Sequence, residues 1–242
     1  LEMQHRMADV PHKPKVKFFP AKEERIWAEG QRKHANEILV CWALAGSSVH
    51  KAWPWVDAVM ADLLLRYGDR ITIVMMGGPD AVLLEQGWFK VGEDGMPLKT
   101  EHGCKQKADP RVWPVSGNWT IRQSMAFIQL ADIVVGPETG LMNCVSHESM
   151  PKVCVLSHST VHNLTRDWDN TVSVYAPNTV CPGRGNNEAM ACHQLHYNWN
   201  HCQQAKDEKG ERTGVAQCQY EISPFMVLEP IIQAIERRSE AA

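Results

Sequence analysis

Residues 131–141 read Ala-Asp-Ile-Val-Val-Gly-Pro-Glu-Thr-Gly-Leu, a run of apolar residues followed by a polar turn. Residues 133–135 form an unbroken β-branched run, which is typical of a strand that is buried on both faces of a parallel sheet. Gly136 and Pro137 end the strand, and residues 141–149 continue with helical spacing. The stretch therefore predicts a strand, a tight polar turn and the start of a helix.

The turn at residues 136–140 is the first candidate for a ligand site. The first backbone amides of a helix have no partners inside the helix, and the helix dipole adds partial positive charge at that end. In open α/β sheets, ligands bind at the carboxyl ends of the strands. Two interpretations stay open from this stretch alone: an anion site, or an ordinary β–α connection with a threonine cap.

On both sides of this stretch, strands alternate with helices. Apolar runs predict further strands at residues 38–42, 71–76, 112–115, 152–156 and 170–175, and helical periodicity is present at residues 55–67 and 120–131. This alternation implies right-handed parallel crossovers, so we predict an α/β fold with a doubly wound, Rossmann-like parallel sheet. On the apolar side of the 120–131 helix we expect Ile121, Met125, Ile128 and Leu130.

Composition divides the chain into three segments. Residues 1–36 form a Pro/Lys-rich linker followed by a mostly exposed helix, and residues 37–176 contain the predicted sheet. Within the sheet domain, residues 87–111 are rich in glycine and charge, which predicts a surface insertion. Residues 177–242 hold a Cys/His-rich segment, expected to wrap the surface, and a closing C-terminal helix that starts at Ser223-Pro224.

Charge and hydropathy exclude several functional classes. The net charge of −3 argues against a broad nucleic-acid surface, which needs a basic balance. No apolar run is long enough for a transmembrane segment, and the N-terminal residues lack the apolar core of a signal peptide. We therefore expect a cytoplasmic protein, either free or at the inner surface of the membrane.

Three polar turns follow predicted strands, at residues 46–51, 77–80 and 136–140. In a parallel sheet all three lie at one edge, so together they favour a ligand that carries phosphate. The first turn offers two serine hydroxyls and Lys51, a mobile cation that suits a phosphate. It is neither a Walker loop nor a Gly-x-Gly-x-x-Gly turn. Taken singly, Lys51 is better explained as a solvated surface charge.

The last segment also carries four cysteines, Cys181, Cys192, Cys202 and Cys218. They are separated by 10, 9 and 15 residues, so none forms the Cys-x2-Cys pair of a strong zinc site. Free thiols, disulfides and a structural zinc that nearby histidines complete all stay open, although a cytoplasmic location disfavours disulfides. We predict no cofactor, and these cysteines are weak candidates for metal ligands.

Taken together, the motifs resemble the donor-binding half of family 9 glycosyltransferases, the lipopolysaccharide heptosyltransferases and their relatives. Residues 46–54, Gly-Ser-Ser-Val-His-Lys-Ala-Trp-Pro, are similar to the first turn of that family. Residues 115–120, Val-Ser-Gly-Asn-Trp-Thr, are similar to its Leu-x-Gly-x-Thr/Ser-Leu stretch. Residues 131–141 are similar to its Ala-Asp-x-x-Ile-Gly-x-Asp-Thr-Gly-Leu signature. The resemblance covers about residues 37–238, including the cysteine-bearing tail and the closing helix.

The resemblance implies a two-domain GT-B protein of which this chain is the C-terminal, donor-binding domain. It implies binding of a nucleotide-diphosphate sugar, ADP-heptose or a related donor, for transfer to a saccharide acceptor. The N-terminal acceptor domain would supply the carboxylate general base, so it lies outside this chain and no catalytic residue is assigned within it. Two other interpretations are a non-catalytic nucleotide or nucleotide-sugar binding module and a GT-B-like epimerase.

The resemblance assigns donor-binding residues to the three turns. They are Ser47, Ser48, Lys51, Asp80, Glu138, Thr139, Gly140, Leu141 and Asn143. Lys51 would contact the donor phosphates, and the Thr139-Gly140 turn would meet the diphosphate at a helix N-terminus. Asp80 is a weaker candidate for a contact to a ribose hydroxyl.

Two of these positions depart from the family pattern. Glu138 stands where the family has aspartate, which keeps the charge but moves it by one methylene. Asn143 stands where the family has histidine, and an amide cannot take up a proton near neutral pH as histidine can. Which donor the protein binds, and whether it is active, both depend on the roles of Glu138 and Asn143.

Overall fold

The computed structural model describes residues 7, 16–46, 48–79, 81–82, 90–91, 97–98, 107–157, 159–176, 204–206 and 208–241. The helices are α1 (Lys22–Arg32), α2 (Val56–Tyr67), α3 (Ile121–Ile128), α4 (Gly140–Cys144), α5 (Gln217–Tyr220) and α6 (Pro224–Ala241). The strands are β1 (Ile38–Ala43), β2 (Ile71–Met76), β3 (Lys90–Val91), β4 (Pro97–Leu98), β5 (Lys107–Ala108), β6 (Val112–Pro114), β7 (Ile133–Pro137), β8 (Lys152–Val155), β9 (Thr171–Val174), β10 (Gln204–Lys206) and β11 (Arg212–Ala216). Short 3-10 turns lie at Val49–Lys51 and Gly68–Arg70, and a π-helical turn lies at Val161–Thr165.

Six strands form one parallel sheet in the order β6-β2-β1-β7-β8-β9. Counted along the chain within this sheet, the order is 3-2-1-4-5-6, that of a doubly wound, Rossmann-like fold. The predicted α/β fold is therefore confirmed. The order reverses between β1 and β7, so the carboxyl ends of these two strands open the crevice where ligands bind in such folds.

The central strand β1 is buried on both faces because its side chains alternate between two cores. Ile38, Val40 and Trp42 pack with residues of α2 and α6 on one face. Leu39 and Cys41 pack on the other face, with residues of α1, α3 and α4. Helices on both faces explain why the strand reads as a continuous apolar run and not as an alternating one.

The two central strands approach each other closely at Gly136. A Cβ placed at this glycine would lie 2.7 Å from both the Cβ and the carbonyl oxygen of Ala43 in β1. A side chain would therefore force β7 away from β1 at the end where the crevice opens. Glycine at this position lets the turn after β7 lie against the turn after β1.

Two details of the sequence prediction are wrong. Ile121 is 58% exposed, because the start of α3 at residues 120–122 is uncovered, whereas Phe127 and Ile128 are fully buried. The helix that begins at residue 140 ends at Cys144 and does not continue to residue 149. The amides of Val145 and Ser146 bond to Met142 and Asn143 three residues back, and such tight turns end an α-helix.

The end of the tail packs against the segment that follows β1. The indole Nε1 of Trp53 donates to the carbonyl oxygen of Ile222 at 3.0 Å, and that of Trp55 donates to Tyr220 at 3.2 Å. Cys218 is partly buried against the core. Cys181, Cys192 and Cys202 lie outside the described residues, as does most of the predicted insertion at 87–111. Within the described ranges, no helix has the length and apolar character needed to cross a membrane.

At the amino edge of the sheet, Asp132 joins three parts of the chain. Its carboxylate accepts a hydrogen bond from the amide of Leu39 at 2.7 Å, at the start of β1. It also pairs with Arg32 at the end of α1, 3.2 Å away, and with Arg238 in α6, 2.9 Å away. Asp132 therefore holds the first and last helices onto the sheet.

Lys152, the first residue of β8, is buried at the same edge. Its Nζ donates to the carbonyl oxygens of Glu148 at 2.7 Å and Met150 at 2.9 Å. Burial lowers the pKa of this ammonium from 10.5 to about 8, because desolvation disfavours the charged form more than Asp169 and Glu148 favour it.

This lowered pKa predicts a specific pH dependence of stability. Between about pH 8 and pH 10.5 the unfolded chain keeps the Lys152 proton and the folded chain has lost it, so the free energy of unfolding rises with pH in this window. Below pH 8 both states are protonated and the cost of burying the charge is fully present. The Lys152→Met variant lacks this titration. Urea unfolding of both proteins should show that the free energy of unfolding of wild type rises relative to that of the variant from pH 8 to 10.5. A difference that stays constant over this range would contradict the lowered pKa of Lys152.

Candidate functional site

A pocket of about 670 Å³ opens at the carboxyl edge of the sheet, across the switch point between β1 and β7. This volume lies within the roughly 300–1,000 Å³ of typical small-molecule sites. The lining comes from the three turns and from the start of α3: Ala45, Gly46, Lys51, Gly77, Gly78, Pro79, Ala81, Gly117, Trp119, Ile121, Ser124, Glu138, Thr139, Gly140, Leu141 and Asn143.

Lys51 connects the first turn to the third. The 3-10 turn Val49–Lys51 places the lysine at the mouth of the crevice, and the amide of Lys51 donates to the carbonyl oxygen of Ser48 at 2.9 Å. The Nζ of Lys51 reaches across the switch point and donates to the carbonyl oxygen of Glu138 at 2.9 Å. Two of the three predicted turns, the first and the third, are therefore in direct contact through the ammonium group.

Thr139 caps α4, the helix that follows the third turn. Its Oγ1 accepts a hydrogen bond from the amide of Met142 at 3.3 Å, and its carbonyl accepts from Asn143 at 3.0 Å. Gly140 and Leu141 follow as the first residues of α4 and line the pocket. The first amides of a helix have no partner within it, so this end of the pocket offers backbone donors.

The carboxylate of Glu138 is engaged with backbone outside the three turns. Glu138 is only 5% exposed, and its Oε1 accepts from the amide of Ser157 at 2.6 Å and of Ser159 at 3.0 Å. Both serines follow β8, the next strand of the sheet. The side chain expected to contact a donor thus holds two neighbouring loops together.

The remaining expected site residues fall into three groups. Asn143 is exposed and lines the pocket beside the third turn. Ser48 is buried and lies outside the pocket wall, and its hydroxyl has no hydrogen-bond partner among the described residues. Ser47 and Asp80 lie outside the described residues.

A further part of the pocket wall comes from residues that the sequence prediction did not include. Gly117, Trp119, Ile121 and Ser124 line it, at the entry to α3. The indole of Trp119 is fixed by edge contacts to Trp27 at 5.0 Å and Phe127 at 4.8 Å between ring centroids. The motif at residues 115–120 was the available signal, but only the pairing of β6 with β2 places it beside the crevice.

The charge in this pocket favours an anion. Among its described lining residues the ionisable side chains are Lys51 and Glu138, and the glutamate is turned toward the amides after β8. The ammonium of Lys51 and the donors at the start of α4 therefore determine the local potential. Within the described ranges, no cluster of three or more His, Cys, Asp or Glu side chains could hold a metal ion.

Gly46 provides a way to move Lys51 without removing it. A Cβ built at Gly46 would overlap the Cδ atom of Lys51, which belongs to a flexible side chain. Gly46→Ala should therefore displace the ammonium from Glu138 at little cost in stability, and should weaken anion binding by about fivefold to tenfold, or roughly 1–1.4 kcal/mol. Calorimetric titration with a nucleotide diphosphate measures this. An equal loss from Gly46→Ala in a Lys51→Ala background would show that the glycine acts independently.

No family model and no curated protein matches the sequence. Solved structures do match. Escherichia coli ADP-heptose lipopolysaccharide heptosyltransferase II is 15% identical, with a TM-score of 0.59 over 96% of this chain and 57% of that protein. A family 9 glycosyl transferase from Veillonella parvula is 13% identical, with a TM-score of 0.61 and the same two coverages.

A third match is TibC, a dodecameric iron-containing heptosyltransferase of enterotoxigenic E. coli that was solved with ADP-D-β-D-heptose. It is 15% identical, with a TM-score of 0.50 over 85% of this chain and 47% of that protein. The chain thus has the family 9 heptosyltransferase-like fold that the motifs predict. It spans 57% of the length of the first two proteins.

Proposed function

We propose that the pocket binds a nucleotide-diphosphate sugar and that this chain is the donor-binding part of a glycosyltransferase. The observation that carries the proposal is the position of the Lys51 ammonium between the first and third turns, 2.9 Å from the carbonyl of Glu138. An ammonium has three N–H donors, and this bond uses one of them. The others suit phosphate oxygens in the pocket.

The diphosphate would lie between Lys51 and the start of α4. Charge that builds on the leaving diphosphate during sugar transfer is stabilised by a nearby cation and by pre-oriented amides. Thr139 caps the helix through its hydroxyl, so the amides of Gly140 and Leu141 are the backbone donors closest to that charge.

The nucleoside would lie against the residues between β6 and α3 and the first turns of α3. Trp119 and Ile121 offer flat and apolar surface there, Pro79 adds to it from the second turn, and Ser124 supplies a hydroxyl. A ring base with polar edges fits such a lining. Two of the solved neighbours are named as heptosyltransferases that use or hold ADP-heptose, which supports ADP-heptose or a related donor.

On this proposal the saccharide acceptor binds to a further domain. An acceptor hydroxyl would attack the donor sugar directly, with inversion, and a carboxylate of the acceptor domain would remove its proton. The larger size of the solved neighbours supports this division, because the chain covers 57% of their length. Residues of this chain would hold the donor and stabilise the leaving group.

One observation favours the alternative of a non-catalytic binding module. Asn143 lines the pocket and, as an amide, offers no acid or base near neutral pH. A sugar-transfer assay on the chain joined to an acceptor-binding domain separates the two functions. Transfer supports the enzyme, and tight donor binding without transfer supports the module.

A thermal-shift screen tests the binding proposal. Nucleotide diphosphates and their sugars should raise the melting temperature, and a ligand at 100 times its dissociation constant stabilises the fold by about 2.7 kcal/mol. Nucleosides without phosphate should stabilise the protein much less, because they do not reach Lys51. No shift with any diphosphate would refute the proposed function.

A further inference from the structure

The carboxylate of Glu138, the acidic residue of the third turn, is bonded within the protein and does not have the position of a group that contacts a ligand. Glu138 lines the pocket, yet it is only 5% exposed, and its Oε1 accepts from two backbone amides. Its Oε2 lies 3.4 Å from the hydroxyl of Ser157. Ser157 and Ser159 are themselves buried, so these bonds form in a protected environment where charge-assisted hydrogen bonds are strong.

The main chain of the same residue carries the second connection. The carbonyl oxygen of Glu138 accepts from the Nζ of Lys51. The carboxylate therefore fixes where the turn lies relative to β8, and the carbonyl fixes where the ammonium points. A continuous set of contacts runs from the amides after β8, through Glu138, to the cation of the first turn.

We propose that Glu138 is a positioning residue, which anchors the third turn to the end of β8 and thereby aims Lys51 into the pocket, and does not contact the donor itself. This inference rests on the proposed function for the role of Lys51. It also explains why residue 138 is glutamate and not the aspartate of the family pattern, because the added methylene lets the carboxylate reach the amides of Ser157 and Ser159.

Two substitutions of Glu138 separate the effect of where its carboxylate lies from the effect of its charge. Glu138→Gln keeps the side-chain length and a carbonyl oxygen for the two amides, but loses the charge. Glu138→Asp keeps the charge and withdraws it by one carbon–carbon bond, about 1.5 Å. For a positioning residue the aspartate is the more harmful change. We expect Glu138→Asp to weaken nucleotide-diphosphate binding by about tenfold, or 1.4 kcal/mol, and Glu138→Gln by less.

A double-mutant cycle with Lys51→Ala shows whether Glu138 acts through the lysine. In the Lys51→Ala background, Glu138→Asp should change the dissociation constant of ADP, or of the diphosphate that binds best, by less than about twofold, since coupled sites are not additive. An equal loss in both backgrounds would overturn the proposal. A Glu138→Asp variant that binds as tightly as wild type would overturn it as well. Glu29→Asp, an exposed glutamate of α1, controls for the loss of a methylene.

Amide hydrogen exchange tests the anchor without any ligand. In Glu138→Asp, the amides of Ser157 and Ser159 should exchange at least about tenfold faster than in wild type, because protection follows the local opening free energy. Unchanged exchange at both amides would refute the anchor even if nucleotides bind. If wild type binds no diphosphate but exchange does respond, the anchor stands and the proposed function fails.

Discussion

Replacing Lys51 with alanine is expected to weaken the binding of nucleotide diphosphates by about 10- to 150-fold. A charged hydrogen bond to phosphate contributes roughly 1.5–3 kcal/mol, and each 1.4 kcal/mol corresponds to a factor of ten. Lys51 and Glu138 are the ionisable side chains among the described lining residues, and the carboxylate is held by the amides of Ser157 and Ser159. Loss of the ammonium therefore removes the main cation of the site.

Two companion variants make this prediction specific. Lys51→Arg should retain only part of the wild-type affinity, because the planar guanidinium of arginine does not reproduce the compact ammonium that donates to the Glu138 carbonyl. Thr139→Ala should do less harm than Lys51→Ala, because it removes a neutral cap and leaves the helix amides in place. Calorimetric titration of all three should preserve this order. Wild-type affinity in Lys51→Ala would place the phosphate site elsewhere.

Replacing Asp132 with alanine is expected to lower the free energy of unfolding by about 2–4 kcal/mol. The amide of Leu39 is buried and would lose its acceptor, which costs roughly 1–3 kcal/mol. The ion pairs with Arg32 and Arg238 are partly exposed, so each adds at most about 1 kcal/mol. The ends of α1 and α6 would lose these ion pairs and keep the hydrogen bonds that Arg32 and Arg238 donate to the carbonyl oxygen of Glu37, next to β1.

Thermal unfolding measures this effect as a fall in melting temperature of roughly 5–15 °C for a chain of this size. Asp132→Asn keeps an acceptor for the Leu39 amide and should cost about half as much. Asp167→Ala, at an exposed position beside Arg166, serves as the control and should stay within about 0.5 kcal/mol of wild type. A melting temperature for Asp132→Ala equal to that of the control would show that this junction carries little stability.

The parallel sheet could be predicted from the sequence because the patterns that indicate its strands and helices are local. Continuous β-branched runs such as residues 133–135 are typical of strands that are covered on both faces, and helices between such strands favour parallel pairing. The position of the three turns at one edge follows from that geometry. The contact between Lys51 and the third turn then needs only the pairing of β1 with β7.

Other features of the pocket depend on contacts that no local pattern contains. Trp119 lines the wall because β6 pairs with β2, at the opposite end of the strand order from β9. Ile121 lies on the apolar face by periodicity, yet it lines the pocket, because residues 120–122 at the start of α3 are exposed. The direction of the Glu138 carboxylate depends on amides 19 and 21 residues further along the chain.

A crystal structure of the chain with its preferred nucleotide diphosphate would show directly whether the crevice binds phosphate. We expect a phosphate oxygen within roughly 2.7–3.2 Å of the Nζ of Lys51, which is hydrogen-bond distance. We also expect the diphosphate beside the amides of Gly140 and Leu141, with the carboxylate of Glu138 still bonded to the amides of Ser157 and Ser159. A nucleotide that binds with its phosphates away from the crevice between β1 and β7 would refute the proposed site.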